Sequence, residues 1–269
     1  DLHSFPTRRS SDLNADAGKG GVPLNSFARK LLFAARFGTL KILLSTDLTA
    51  ESRVMYHREI SERVRKAVPF LRFDRDPYLV ISRDGRLSWI IDAYTLSDRY
   101  PYSEPIRGMG NYIRNSVKAV VDAYDGSLAF YMADPTDPVI NAYARAFPGL
   151  FRPLDAMPSD LKDHLRYPQG MFTIQAKLFS TYHMRDPQVF YNKEDLWSIP
   201  RKAVEGREAE MEPYYTIMRL PGEKKEEFIL LLPFTPNKKD NMIAWLAARS
   251  DPPHYGKLIA YNFPKAKLV

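Results

Sequence analysis

Two Asp-Gly dipeptides, each set between β-rich runs, constrain this chain more than any other feature. Asp84-Gly85 lies inside Tyr78 to Ile91, and Asp125-Gly126 lies inside Ser116 to Met132. An Asp-Gly pair supplies the positive φ angles of a tight hairpin turn, and the flanking Val, Ile, Tyr and Phe residues favour strands. A third hairpin is expected from Tyr214 to Leu220 and Glu227 to Leu232 around Pro221-Gly222, and a last strand from Lys257 to Asn262. The sequences Asp92-Ala93-Tyr94 and Asp122-Ala123-Tyr124 recur beside the first two turns, so antiparallel strands of one sheet could bring them side by side.

Helical spacing is found elsewhere in the chain. Leu24, Phe27, Leu31 and Ala34 or Ala35 recur at helical intervals up to Phe37, with Gly38 as a stop and an apolar run from Leu40 to Leu44 behind it. A second helix is expected from an N-cap at Thr49 to the residue before Pro69, with Val54, Ile60, Val64 and Val68 facing inward. A mainly helical insert follows over about residues 137–200, with helices from Pro138 to Phe147, Pro158 to Leu165 and Thr173 to Met184. Residues 200–213 read as a polar loop, and Asn241 to Arg249 as a short helix. Clustered hairpins with segregated helices place the chain in the α+β class rather than the alternating parallel α/β class.

Composition narrows the chemistry. The chain has 269 residues, 45% hydrophobic and 26% charged, which is enough to bury a sizeable core. It has no cysteine, so disulfides, thiolate metal sites and cysteine nucleophiles are excluded. The net charge is +7, but the basic residues are interleaved with acids. The densest run, Arg58 to Lys66, contains Glu59 and Glu62 and reads as a solvated helix face, which argues against nucleic acid as a partner. No run of roughly eighteen apolar residues occurs, and the best candidate, Leu31 to Leu44, is interrupted by Arg36 and Lys41. By this measure the region itself is soluble.

The two ends carry separate expectations. Residues 1–13 lack the apolar core of a signal peptide and resemble the translation of a sequencing-adapter oligonucleotide, so they read as foreign to the fold. Residues 14–23 are Gly-rich but lack the P-loop spacing, and read as an entry loop. Residues 14–269 are expected to form a single α+β region, truncated at both ends.

Candidate chemistry centres on the two Asp-Ala-Tyr sequences. Asp92 and Asp122 could form a carboxylate pair for acid–base hydrolysis, or each could cap a strand end or turn. Tyr94, Tyr100, Tyr102 and Tyr124 cluster near them in sequence; tyrosines beside acids suit sugar stacking, and they also simply cover sheets. His183 could be oriented by Asp186 as a general base, but no nucleophile elbow completes a triad. The histidines lack zinc spacing, and Asp134/Asp137 and Asp74/Asp76 match no EF-hand loop, so these acids read as turn and cap residues. No metal or cofactor is expected.

Several longer motifs resemble a known family. They are Ile91-Asp-Ala-Tyr-Thr95 with Ser97 to Ser103, Asn115 to Gly126, Phe147 to Phe151, Leu165 to Pro168, Thr181 to Asn192, Leu232 to Pro236 and Asp240 to Arg249. Over residues 18–269 the chain resembles the uncharacterised protein family numbered zero-one-eight-two, large prokaryotic membrane proteins. The resemblance implies transmembrane helices upstream of Gly18 and an extracytoplasmic region of which this chain is the middle. It implies a role in interaction or envelope maintenance at the cell membrane, and offers no catalytic residues to carry over. The alternative expectation is a domain that binds or hydrolyses envelope polysaccharide through Asp92 and Asp122.

Overall fold

The computed structural model describes residues 20–204 and 206–264; the segment expected to be foreign, and residues 14–19 of the entry loop, lie outside them. In chain order, β1 (Val22–Pro23) is followed by α1 (Phe27–Phe37), α2 (Lys41–Leu44), β2 (Arg53–Val54) and α3 (Ile60–Ala67). The first group of strands is β3 (Arg72–Phe73), β4 (Tyr78–Ile81), β5 (Leu87–Ser97), β6 (Tyr112–Asp122) and β7 (Leu128–Met132). Then come α4 (Pro138–Ala146), β8 (Phe151–Pro153), α5 (Ser159–Lys162), α6 (Gln169–Tyr182) and α7 (Pro187–Asn192). The second group is β9 (Trp197–Ser198), β10 (Arg201–Val204), β11 (Arg207–Glu210), β12 (Tyr214–Arg219), β13 (Glu226–Pro236), β14 (Ala244–Arg249) and β15 (Leu258–Asn262).

The class is α+β. The hairpins divide between two sheets, one ordered β3-β5-β6-β7-β8 with β4 also on β5, the other β12-β13-β14-β15 with β9 also on β13. All pairings are antiparallel except β7 with β8. The three expected hairpins and the final strand are present. In the two Asp-Gly loops only the glycine takes the left-handed conformation, Gly85 at φ 81° and Gly126 at φ 70°. Their amides close onto the carbonyls of Ser82 and Asp122 at 2.9 Å each. These are therefore wider loops than the two-residue turn, in which both central residues need positive φ.

Three expected elements differ. The helix expected from Thr49 begins only at Ile60, capped by Glu59, and Val54 instead pairs with Val22 in a short ribbon. Ile60, Val64 and Val68 keep a spacing of four; Val54 falls six positions before Ile60, off that stripe. The polar stretch 200–213 contains the β10–β11 ribbon. Ala244–Arg249 is a strand, not a helix: β13 and β15 bond to it from both sides, and this pairing outweighs the helix propensity of Ala, Leu and Arg.

Strands β5 and β6 are buried on both faces, which explains their nearly continuous apolar runs. On one face Ile91, Ala93, Val117, Val121 and Phe130 pack against Val64 of α3, its C-cap Val68 and Ile140 of α4. On the other, Ile90, Val120 and Tyr131 meet Val80, Met157 and Leu161. In the second sheet Leu230, Leu232, Phe234, Leu246 and Ala248 pack against Phe172 and Ala176 of α6. Helix α6 also contacts β6, so it lies between the two sheets.

The start of α4 ties the first sheet together. A bulge sets Asn115 and Ser116 of β6 against the single residue Tyr94 of β5. Asp137 caps α4 by accepting the Val139 amide at 2.9 Å, and it also accepts the hydroxyls of Thr95 and Ser116 at 2.5 Å each and of Tyr112 at 2.8 Å. Burial alone would raise the Asp137 carboxyl, but these hydroxyls and the cap amide hold it below its ordinary value. Burial and Asp137 together push the Tyr112 phenol up to about 12. Asp137→Ala loses the cap and strands buried hydroxyls, and is expected to cost about 2–3 kcal/mol at neutral pH in urea unfolding. A depressed folded pKa contributes stability above the unfolded value of about 3.9 and loses it as pH falls through the lower folded value, so the deficit should shrink below that range. A deficit independent of pH would show that the carboxylate charge contributes nothing.

Candidate functional site

Helix α6 and the loop after β5 define an open cleft. Its volume is about 580 Å³, and it is walled by Gln175, Leu178, Phe179 and Tyr182 of α6, by residues 100–104, and by Leu246, Leu258 and Ala260 of the second sheet. Residues 100–104 are held by Asn111, whose side chain accepts the Tyr100 amide at 3.0 Å and donates to the Tyr100 and Ser103 carbonyls at 2.7 and 3.2 Å. The Tyr100 ring stacks on Tyr112 at 5.6 Å. Tyr102 has a positive φ of 59° and its ring is fully exposed. Such a backbone is costly for a bulky residue and is retained where the surroundings impose it. Glu104 is the one carboxylate among the lining residues. A second cavity, of about 430 Å³, shares Gln175 and reaches Arg114, Asp134, Tyr167 and Tyr255.

An ionic network centred on a buried pair reaches the second cavity through Tyr255. Lys118 stands opposite Asp92 on neighbouring strands; both are almost fully buried and directly ion-paired. The same ammonium donates to the Tyr255 hydroxyl at 2.6 Å, and that hydroxyl donates to the Arg166 carbonyl at 3.2 Å. Arg166 pairs with Asp76 at 2.6 Å and lies over the rings of Tyr78 and Tyr215, at 3.9 and 4.4 Å from their centroids. Asp74 accepts the Tyr94 hydroxyl and, at 3.0 Å, the Gly170 amide at the start of α6. Burial raises the Asp92 carboxyl and Lys118 opposes that rise. Burial, with Asp74 close by, drives the Tyr94 phenol far above its usual range. The network joins the first sheet to the segment that carries α6.

The expected paired acids do not meet. Asp92 faces Lys118 and Asp122 faces Ser88, which separates the two acids by four residues along adjacent strands, or about 13 Å at roughly 3.3 Å per residue. That exceeds the separations of about 5–9.5 Å used in glycoside hydrolysis. Asp122 is occupied with Arg86 at 2.6 Å and with the amides of Tyr124 and Asp125, and these partners hold its carboxyl low against burial. Of the expected tyrosines, Tyr100 and Tyr102 line the cleft. Tyr94 is buried in the ionic network, and Tyr124 lies apart, under Arg86 at 5.4 Å. His183 does not pair with Asp186, which caps α7 instead. It stacks on Trp197 at 3.6 Å, with its Nε2 3.8 Å from Asp195. Among the described residues no group of three or more His, Asp or Glu side chains could hold a metal. Arg65 lies 3.9 Å from Glu59 and Glu62 bonds His57, so the α3 surface is mixed in sign.

The sequence reading missed Lys118 and Arg166. Lys118 left one signal, as a single cation in the apolar run Val117 to Val121, where only an opposing acid makes burial tolerable. Arg166 left none, because its partners come from three distant segments.

Together these features define an α+β protein of two main sheets, with an open cleft beside α6 and an ionic network centred on a buried Lys–Asp pair. The chain belongs to the uncharacterised protein family UPF0182, whose family model matches residues 4–269. It is 59% identical over 266 residues to a UPF0182 protein of Geotalea uraniireducens, covering 99% of this chain and 29% of that protein. A UPF0182 protein of Geobacter sulfurreducens is 60% identical over the same shares. One of Pelotomaculum thermopropionicum is 53% identical over 98% of this chain and 29% of its own length. The chain thus spans under a third of the curated relatives it matches. No solved structure matches it.

Proposed function

We propose that this region is a non-catalytic binding part of a larger membrane-anchored protein, facing the extracytoplasmic side and serving interaction or envelope maintenance. The cleft carries the reading. Its lining offers aromatic and aliphatic surface with Gln175, Ser103 and Glu104 as polar contacts, and Glu104 is the one carboxylate among those lining residues. Such a lining suits holding a ligand, since acid–base chemistry needs two groups whose environments separate their pKa values. The carboxylates of the ionic network are committed elsewhere, Asp92 to Lys118, Asp76 to Arg166, and Asp74 to the Gly170 amide and the Tyr94 hydroxyl. Membrane anchoring and sidedness rest on the family resemblance. No helix among the described residues is long and apolar enough to cross a membrane, so in this reading the anchor belongs to the portion of the relatives that the chain does not span.

The exposed rings of Tyr100 and Tyr102 favour one ligand class, an envelope glycan, because an aromatic face beside amide and hydroxyl groups suits a sugar ring. Tyr102→Ala is expected to weaken glycan binding about tenfold in calorimetric titration, roughly the contribution of one aromatic contact. Glycan turnover abolished by Glu104→Gln would overturn the non-catalytic reading. Sidedness is testable by cysteine labelling: this region has no cysteine of its own, and any outside it is first replaced. A single cysteine at Tyr102 in the whole protein should react with a membrane-impermeant maleimide in intact cells. Labelling only after permeabilisation would place the region inside.

A further inference from the structure

Helix α1 has two apolar sides, and the fold uses one. Phe33 and Ala34 are buried. Phe27, Leu31 and Leu32 are 72%, 49% and 70% exposed, and the short helix behind them adds Leu40 and Leu44 at 66% and 77%. At about 100° per residue, Phe27, Leu31, Ala35, Ala28 and Leu32 fall on one arc of roughly 140°, away from Phe33. Arg36 and Arg29 follow next on that circle, beside Leu32.

The charges on α1 and α2 themselves have one sign. No acidic residue occurs between Asp16 and Asp47, whereas Arg29, Lys30, Arg36 and Lys41 all lie there. Among the described residues Arg29 bonds to Asn25 Oδ1 and the Pro23 carbonyl, Lys30 to the Leu48 carbonyl and Arg36 to His57; none of them meets a carboxylate. Exposed apolar side chains of this size are normal singly, but a contiguous set rimmed by cations on one helix is the pattern of a face that lies in a membrane interface. A second copy of the chain is a poor occupant. A two-fold contact would press the same cationic patch against itself.

We propose that the α1–α2 face docks on an anionic phospholipid surface, with Phe27, Leu31 and Leu32 entering the acyl boundary and Arg29, Arg36 and Lys41 meeting lipid phosphates. The apolar arc supplies depth and the cations supply preference for anionic headgroups, so binding should weaken as salt screens the charges.

Co-sedimentation of the 269-residue chain with vesicles tests this. Binding is expected to phosphatidylglycerol-containing vesicles and not to phosphatidylcholine alone, with a decline at high salt. Leu32→Glu, and separately Arg29→Gln with Arg36→Gln, should each weaken binding about tenfold while leaving the circular dichroism melt unchanged. Leu32→Cys carrying an environment-sensitive fluorophore should shift to the blue on addition of anionic vesicles. Equal binding to both vesicle types, no binding to either, or a Leu32→Glu effect confined to self-association in sedimentation equilibrium would each overturn the proposal.

Discussion

Lys118→Met is expected to destabilise the protein by about 3–5 kcal/mol, because removing one partner of a buried pair leaves the other charge uncompensated. Lys118 is 1% exposed and Asp92 2%. The ammonium meets the Asp92 carboxylate, the Tyr255 hydroxyl at 2.6 Å and the Tyr255 ring at 5.3 Å from its centroid. In the variant Asp92 keeps its desolvation and loses the cation that opposes it, so its folded pKa must rise further. A carboxyl whose folded pKa exceeds its unfolded value costs stability as pH rises from the unfolded value of about 3.9 through the folded one. The Lys118→Met deficit should therefore grow with pH, in the same direction as that of Asp137→Ala but over a range above the unfolded value rather than below it. Replacing both partners, as Asp92→Leu with Lys118→Met, should recover most of the loss, since an apolar pair of similar volume carries no desolvation penalty. Urea midpoints across pH check all three statements. A single-variant cost below about 1 kcal/mol, the range of exposed pairs, would mean that water reaches the site.

Phe172→Ala should cost a similar amount, about 3–5 kcal/mol, through lost burial and the cavity left behind. Phe172 is fully buried on α6, in one cluster with Trp197, Leu230, Phe234 and Leu246, and meets Tyr167 edge-on at 6.4 Å. It lies two residues beyond Gly170, whose amide Asp74 accepts, so the same turn of α6 is attached to both sheets. Loosening it should disturb the cleft as well as the core. Phe172→Leu, which leaves a smaller void, should lose less than half as much. Chemical unfolding followed by tryptophan fluorescence reports the difference, because Trp197 belongs to the same cluster. Equal losses for both variants would show that the site collapses around either side chain.

Local chemistry carried the readable part of the fold. The hairpins at 78–97 and 112–132 follow from β-branched runs flanking a glycine that can turn left-handed. Helix α4 follows from Asp137 before Pro138, a capping side chain ahead of a residue with its φ already set. Ala244–Arg249 was misread because its composition is helical and the bonds that hold it extended come from strands on either side. The second helix starts at Ile60 rather than Thr49 because Val54 lies off the four-residue stripe of Ile60, Val64 and Val68 and pairs with Val22 instead.

The candidate site divides the same way. Tyr100 and Tyr102 were visible as aromatics in a polar loop, and they do line the cleft. Asp92 and Asp122 looked paired because both sit in Asp-Ala-Tyr sequences, one after its turn and one before it. Only the strand register decides which residues face each other, and it sets four residues between them. His183 had Asp186 three positions away in sequence, yet that carboxylate is taken by the amides of Gln188 and Val189, at 2.8 and 3.1 Å.

What the sequence determined by itself, then, is the α+β class, the three hairpins, the Asp137 cap of α4, and membership of UPF0182. These depend on interactions within a few residues, or on motifs long enough to identify relatives. What only the tertiary structure decided is the division into two sheets, the placement of α6 between them, and the partnership of Asp92 with Lys118. Each of these joins residues far apart in the chain, where a neighbour in space leaves little or no mark on the local sequence.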